Sequence, residues 1–241
     1  MQLLIISDIH GNLSALCSVL NDVQNRFSPD AVIILGDIID YGMRSNEVID
    51  RLQHMELPVI CSIWGNHEHA IMTECYDRFS SVRGVRSAQR TGRNLSDSSR
   101  KYINEISGRD GFCEAEIDGR LFLAVHGSIQ DPYWGKIGPE ADHSGYEKYD
   151  YVLSGHTHLA HAFPVFYKTG DARYRNQKRT FFINPGSVGQ PRNHDNRAQY
   201  AILDDKYGIS LCGTDYDIAF EQSLYTDEVD PFYRDRLSLG I

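Results

Sequence analysis

The sequence predicts an α/β fold built on a parallel sheet, and three observations lead there. Short apolar runs alternate with helical patterns through the first 63 residues. Each run ends in a polar cluster, at the carboxyl end of a strand, where open α/β sheets place their binding crevice. The second half of the chain then turns strand-rich, with turn residues between its apolar runs.

The first run, Leu3-Leu4-Ile5-Ile6, reads as a buried strand ended by Ser7-Asp8-Ile9-His10-Gly11-Asn12. Asp8 and His10 lie two residues apart, so the strand pleat sends both side chains to one side. A carboxylate and an imidazole placed that way make half of a metal site. An Asp cap followed by a surface His gives the same pattern. The arrangement recurs, however, at four further strand ends: Gly36-Asp37-Ile38-Ile39-Asp40-Tyr41-Gly42, Gly65-Asn66-His67-Glu68, His126-Gly127-Ser128 and Gly155-His156-Thr157-His158.

Leu13, Leu16, Cys17, Leu20 and Val23 mark a helix over Leu13–Gln24 that Asn12 or Ser14 caps. Ala31–Leu35 and Pro58–Ile63 read as strands, with a helix over Ser45–Met55 between them. Right-handed crossovers then make the sheet parallel. His69–Gly111 reads as helical and polar, with a start near Ser96. Its arginines (Arg83, Arg86, Arg90, Arg93 and Arg100) read as a solvated face. Phe112–Ile117 and Leu121–Val125 form a hairpin around Asp118-Gly119. Further strands are expected at Tyr151–Leu153, Ala162–Tyr167, Thr180–Ile183, Tyr200–Leu203 and Ile209–Cys212, and a last helix at Pro231–Leu239. No repeat or linker divides residues 1–241, which are read as a single domain.

A net charge of −9 argues against broad nucleic-acid binding. It leaves room for a small phosphorylated substrate, because bound cations reverse the local sign of charge. Five cysteines without a CxxC pair suit a reducing compartment. No membrane-spanning run or signal-peptide pattern is visible, so a cytoplasmic location is expected. The oligomeric state is left open.

Oxygen and nitrogen donors without thiolate favour Mn²⁺, with Zn²⁺, Fe, Ni²⁺ or Co²⁺ as alternatives, over Mg²⁺ or Ca²⁺. Asp8, His10, Asp37, Asn66, His67, His126, His156 and His158 are too many donors for one ion. Two divalent ions about 3.5–4 Å apart, bridged by one carboxylate, would use them.

Asp-x-His, Gly-Asp-x-x-Asp, Gly-Asn-His-Glu, His-Gly and Gly-His-x-His, in that order, resemble the motifs of the calcineurin-like metallophosphoesterases. The resemblance runs from Asp8 to about Arg192. Asn184-Pro185-Gly186-Ser187-Val188-Gly189-Gln190-Pro191-Arg192 is similar to the small prokaryotic phosphodiesterase branch. The resemblance implies two packed mixed β-sheets flanked by helices, an α/β/β/α sandwich. It implies one ion on Asp8, His10 and His158, a second on Asn66, His126 and His156, and Asp37 bridging both. It places His67 beside the leaving group, with Asp40 as its carboxylate partner; a turn or cap role for Asp40 stays open. His10, Asn12 and Asn66 are expected near the phosphate. Water shared by the ions would attack phosphorus in line.

Tyr41 stands where the phosphoprotein phosphatases of this superfamily carry a phosphate-binding arginine. Arg192 is read either as its replacement or as a surface residue. The basic stretch from Lys168 to Arg179 is read as an exposed hairpin. Glu68, like Asp40, reads two ways and is left outside the site. The expected activity is hydrolysis of phosphate esters, phosphodiesters foremost. Phosphomonoesterase, nucleotidase or phosphoprotein phosphatase action is the alternative. A non-catalytic scaffold of the same fold would show eroded ligands, and none of the seven is missing.

Overall fold

The computed structural model describes residues 1–241. Two mixed five-stranded sheets, flanked by helices, pack face to face. The first has the order β10-β9-β1-β2-β3, with β1 (Gln2–Ile6), β2 (Ala31–Ile34) and β3 (Val59–Ser62) parallel. Its antiparallel members are β9 (Ala198–Asp204) and β10 (Gly208–Thr214). The second sheet has the order β4-β5-β6-β8-β7. In it β5 (Arg120–Val125), β6 (Tyr151–Ser154) and β8 (Gln177–Asn184) run parallel. The antiparallel edges are β4 (Phe112–Ile117) and β7 (His161–Lys168).

Alternation along the strands builds the layers. Leu4 and Ile6 of β1 face the helices, in a core shared with Leu16 and Val19 of α1 (Leu13–Arg26) and Val48 and Leu52 of α2 (Ser45–Gln53). Leu3 and Ile5 face the other way, meeting Phe122, Ala124, Leu153 and Ile183 of the second sheet. The outer face of the second sheet is covered by Ile137, Tyr146 and Tyr149, from the stretch between β5 and β6.

The polar stretch after β3 holds three helices: α3 (Asn66–Thr73), α4 (Val82–Asn94) and α5 (Asp97–Glu105), the last capped by Ser96 as expected. Two short helices follow β10: α6 (Ile218–Ser223) and α7 (Pro231–Leu239). Only α7 was expected, because α6 is too short to show a helical period. The basic stretch lies in and around the turn joining β7 to β8, with Lys178 and Arg179 inside β8. No helix is long and apolar enough to cross a membrane.

Candidate metal centre

The carboxyl ends of β1, β2, β3, β5 and β6 meet at one edge of the sandwich, and the expected donors lie there together. Asp8 Oδ1 is 3.1 Å from His158 Nε2 and 3.9 Å from His10 Nε2. His126 Nε2 and His156 Nδ1 both approach Asn66 Oδ1, at 3.1 and 2.9 Å. Asp37 Oδ2 lies between the two groups, 3.6 Å from His10 Nε2 and 3.3 Å from His126 Nε2. Asp8, His10, Asp37 and His158 thus form one set of potential ligands, and Asp37, His126 and His156 another.

The chemistry of this cluster fits cations. Asp8 Oδ1 and Asp37 Oδ2 are buried carboxylate oxygens without a hydrogen-bond partner, an expensive state if nothing binds there. The histidines are oriented from behind. Nδ1 of His10, His126 and His158 donates to the backbone carbonyls of Ile39, Leu35 and Gln190, at 3.1, 2.7 and 2.6 Å. A carbonyl only accepts, so each Nδ1 carries a proton and each Nε2 faces the cluster, in His10 and His158 as a lone pair. His10 and His158 bring those lone pairs within 3.2 Å of each other. Burial holds both rings well below the usual imidazole range, and His156 at about 3, so they are neutral ligands. Burial also opposes charge on His126, but Asp37 outweighs it and raises the ring to about 9. In the absence of metal, a proton there stands where a cation would, opposite Asp37.

The route to this geometry differs from the expected one. Strand β1 ends at Ile6, so the pleat does not align Asp8 with His10. Both residues are left-handed, as are Asp37, His156 and His158, with φ between 49° and 63°. Such φ values are uncommon for residues other than glycine, and they gather at functional sites.

His67 lies on the wall of the cleft, apart from the ligands. Its Nδ1 donates to Asp40 Oδ2 at 2.7 Å, and its backbone N–H donates to Asp37 Oδ1 at 2.9 Å. Burial disfavours a charged ring, but Asp37 and Asp40 overcome it and raise the His67 pKa. The Asp40 side chain thus bonds the His67 ring and caps no helix. Its other oxygen accepts from Ser87 Oγ (2.7 Å) and Thr91 Oγ1 (2.8 Å) of α4. Neither residue was singled out in the sequence, although their i, i+4 spacing on a helix is visible there.

Two expectations for phosphate contacts need correction. Asn12 has both ends of its amide committed: Oδ1 caps α1 by accepting from Ala15 N–H, and Nδ2 donates to the Gly189 carbonyl. It is buried and does not line the cleft. His10 is fully buried within the cluster, which leaves it a ligand position and no substrate face. Asn66 and Arg192 do line the cleft.

Glu68 belongs to the machinery although the sequence reading left it out. Its carboxylate accepts four backbone N–H groups, from Asp37, Ile38, Ile39 and Gly65, at 2.8–3.1 Å. It therefore fixes the turn that presents Asp37 and caps α3 at once. Gly65 is required by close approach: a Cβ there would lie 2.1 Å from Asp37 Oδ1. Arg83 is a further correction. It was read as part of a solvated face, yet it lines the cleft with Arg78, Arg192 and Arg236.

The calcineurin-like phosphoesterase superfamily domain matches residues 1–207. An uncharacterised protein of Methanocaldococcus jannaschii is 30% identical, over 98% of this chain and 97% of its own. A metallophosphoesterase from Sphaerobacter thermophilus has the same fold, with TM-score 0.75 and 28% identity over 100% of this chain and 99% of that one. A hypothetical protein from Pyrococcus horikoshii gives TM-score 0.76 at 18% identity, over 100% of this chain and 98% of that one, a likeness of fold alone. By these matches and its motif order, the chain belongs to the calcineurin-like phosphoesterase superfamily.

Proposed function

We propose that the protein is a phosphodiesterase that uses two divalent transition-metal ions, Mn²⁺ foremost. The observation that carries this reading is Asp37 Oδ2, buried, without a hydrogen-bond partner, and placed between inward-facing ring nitrogens of two ligand sets. Asp8, His10 and His158 would hold one ion, Asn66, His126 and His156 the other, and Asp37 both. Bound there, the ions would supply a hydroxide-like water near neutral pH and offset charge on the phosphoryl oxygens.

The chain's own residues do the rest. Arg192 reaches the cleft with a guanidinium whose buried Nε has no partner, placed to bind a phosphoryl oxygen. His67, its Nδ1–H fixed on Asp40, holds its Nε2 on the cleft side, 4.0 Å from Asp37 Oδ2. It donates a proton to the leaving oxygen, or stabilises charge there. Loss of the leaving group then needs no free acid from solvent. The substrate is a small phosphorylated molecule, and the protein works away from membranes and without broad nucleic-acid binding.

The test is hydrolysis of bis(p-nitrophenyl) phosphate with added Mn²⁺, expected to stop with chelator. p-Nitrophenyl phosphate, assayed beside it, is expected to turn over more slowly. Faster turnover of the monoester would favour the phosphomonoesterase alternative. Failure with Mn²⁺, Ni²⁺, Co²⁺ and Zn²⁺ alike would favour a scaffold.

A further inference from the structure

The cleft over the metal-ligand cluster has a volume of about 590 Å³. That is room for a nucleotide-sized ligand. Asp37 is the one carboxylate on its walls, against five cationic side chains: Arg78, Arg83, Lys136, Arg192 and Arg236. Arg78 is committed to a two-bond pair with Asp131, at 2.6 and 3.0 Å. The other four face no carboxylate in the cleft, in a chain whose net charge is −9.

Two of these cations gather around one ring. Arg236 comes from α7 and is only 6% exposed. Arg83 comes from the first turn of α4. Both guanidiniums approach the same ring, that of Phe232, at 5.1 and 3.9 Å from its centroid. Arg192 lines the same cleft. Burial and then the Arg192 charge bring Arg236 down to about 10. Tyr41 stacks on Tyr233 of α7 at 4.3 Å and also meets the rings of His10 and His67. The residue beside the reacting groups thus docks the helix that brings Arg236. Like charges held together in a partly buried site oppose one another, and an anionic ligand relieves that opposition. One phosphodiester carries a single negative charge. Paired with Arg192 beside the metal cluster, it leaves the two guanidiniums around Phe232 without a counter-charge on the cleft walls, Arg236 turning only its Nε away, to the Ile241 carbonyl.

We propose that Arg83 and Arg236 form a second anion subsite, and that the natural substrate carries a further phosphoryl group beyond the scissile one. This rests on the phosphoesterase reading for the identity of the scissile group. It assigns α7, outside the residues matched by the family, the role of selecting doubly phosphorylated substrates.

Calorimetry on the protein as purified, comparing thymidine 3′,5′-bisphosphate with thymidine 5′-monophosphate, tests the subsite. The bisphosphate is expected to bind at least about tenfold more tightly. Arg83→Gln, at an exposed side chain, and Arg236→Gln are each expected to bring the ratio of affinities towards one. Equal binding of the two ligands by the unmodified protein, or a ratio that both variants leave unchanged, overturns the proposal. Binding needs no turnover, so the two readings fail separately. Tight bisphosphate binding by a protein that hydrolyses no ester would overturn the phosphoesterase reading alone.

Discussion

At Asp37 the two carboxylate oxygens have different work. Oδ1 accepts the His67 backbone N–H at 2.9 Å, and Oδ2 has no donor. Asp37→Asn keeps the shape but puts an amide where the proposed centre calls for a bridging carboxylate. Activity is expected to fall by about 10³-fold or more, with bound metal dropping from two equivalents towards one by elemental analysis. His67→Gln should lower kcat by about 10²–10⁴-fold, the usual worth of a positioned acid, while metal content stays the same. Loss of metal in that variant would show that His67 is a ligand after all. Asp40 bonds His67, and Ser87 and Thr91 bond Asp40, so in the proposed mechanism each would act through the next. Ser87→Ala should therefore slow turnover with KM little changed, and the decrease should vanish when Asp40 is already Asn.

The donor residues themselves were legible, because Asp, His and Asn at successive strand ends have few joint explanations. Their precise use was less so. Asn12 carries a cap signature and a phosphate-binding signature at the same position, and only the hydrogen bonds to Ala15 and Gly189 decide between them. The left-handed conformations of Asp8, His10 and His158 leave no mark in residue type, since no glycine announces them.

Among the elements, the turn after β2 and the start of α3 form one unit held by Glu68. Replacing its carboxylate by an amide puts an NH₂ group against backbone N–H donors. Glu68→Gln is expected to cost about 2–4 kcal/mol in urea unfolding, as buried N–H groups lose their acceptor. It should also weaken metal binding, because the turn carrying Asp37 loosens. An unchanged midpoint would show that the four contacts matter little. The strands and the first helices were readable from apolar periodicity, with ends within a few residues of those observed. Helix α6 was not, and neither was the reach of α7 into the cleft. Both follow from tertiary packing, of Tyr233 on Tyr41 in the second case, to which local pattern is blind.

Across the whole molecule, the centre ties the two sheets together. Asp8, His10, Asp37 and Asn66 follow strands of the first sheet, and His126, His156 and His158 follow strands of the second. His126 Nδ1 donates to Leu35 O, and His156 N–H to Asp8 Oδ2, so the two sheets are bonded at this edge even without metal. Ions held from both sides should then stabilise the fold as ligands do, by about 2.7 kcal/mol at a hundredfold excess over Kd, read as a rise in Tm that chelator reverses. A Tm indifferent to Mn²⁺ would show that the folded state does not bind it. Leu153, buried where the sheets meet, should cost about 2–5 kcal/mol when cut to Ala, whether or not metal is present. The doubling of the sheet could not be read from strand patterns alone. It came from the resemblance carried by the motifs, since a continuous apolar run shows that a strand has two buried faces but not what covers each.

The central claim is that one carboxylate is shared by two cations. Anomalous diffraction from crystals grown with Mn²⁺ measures this most directly. Two peaks about 3.5–4 Å apart, with Asp37 bound to both, are expected. A single peak, or two peaks that do not share Asp37, would contradict the account.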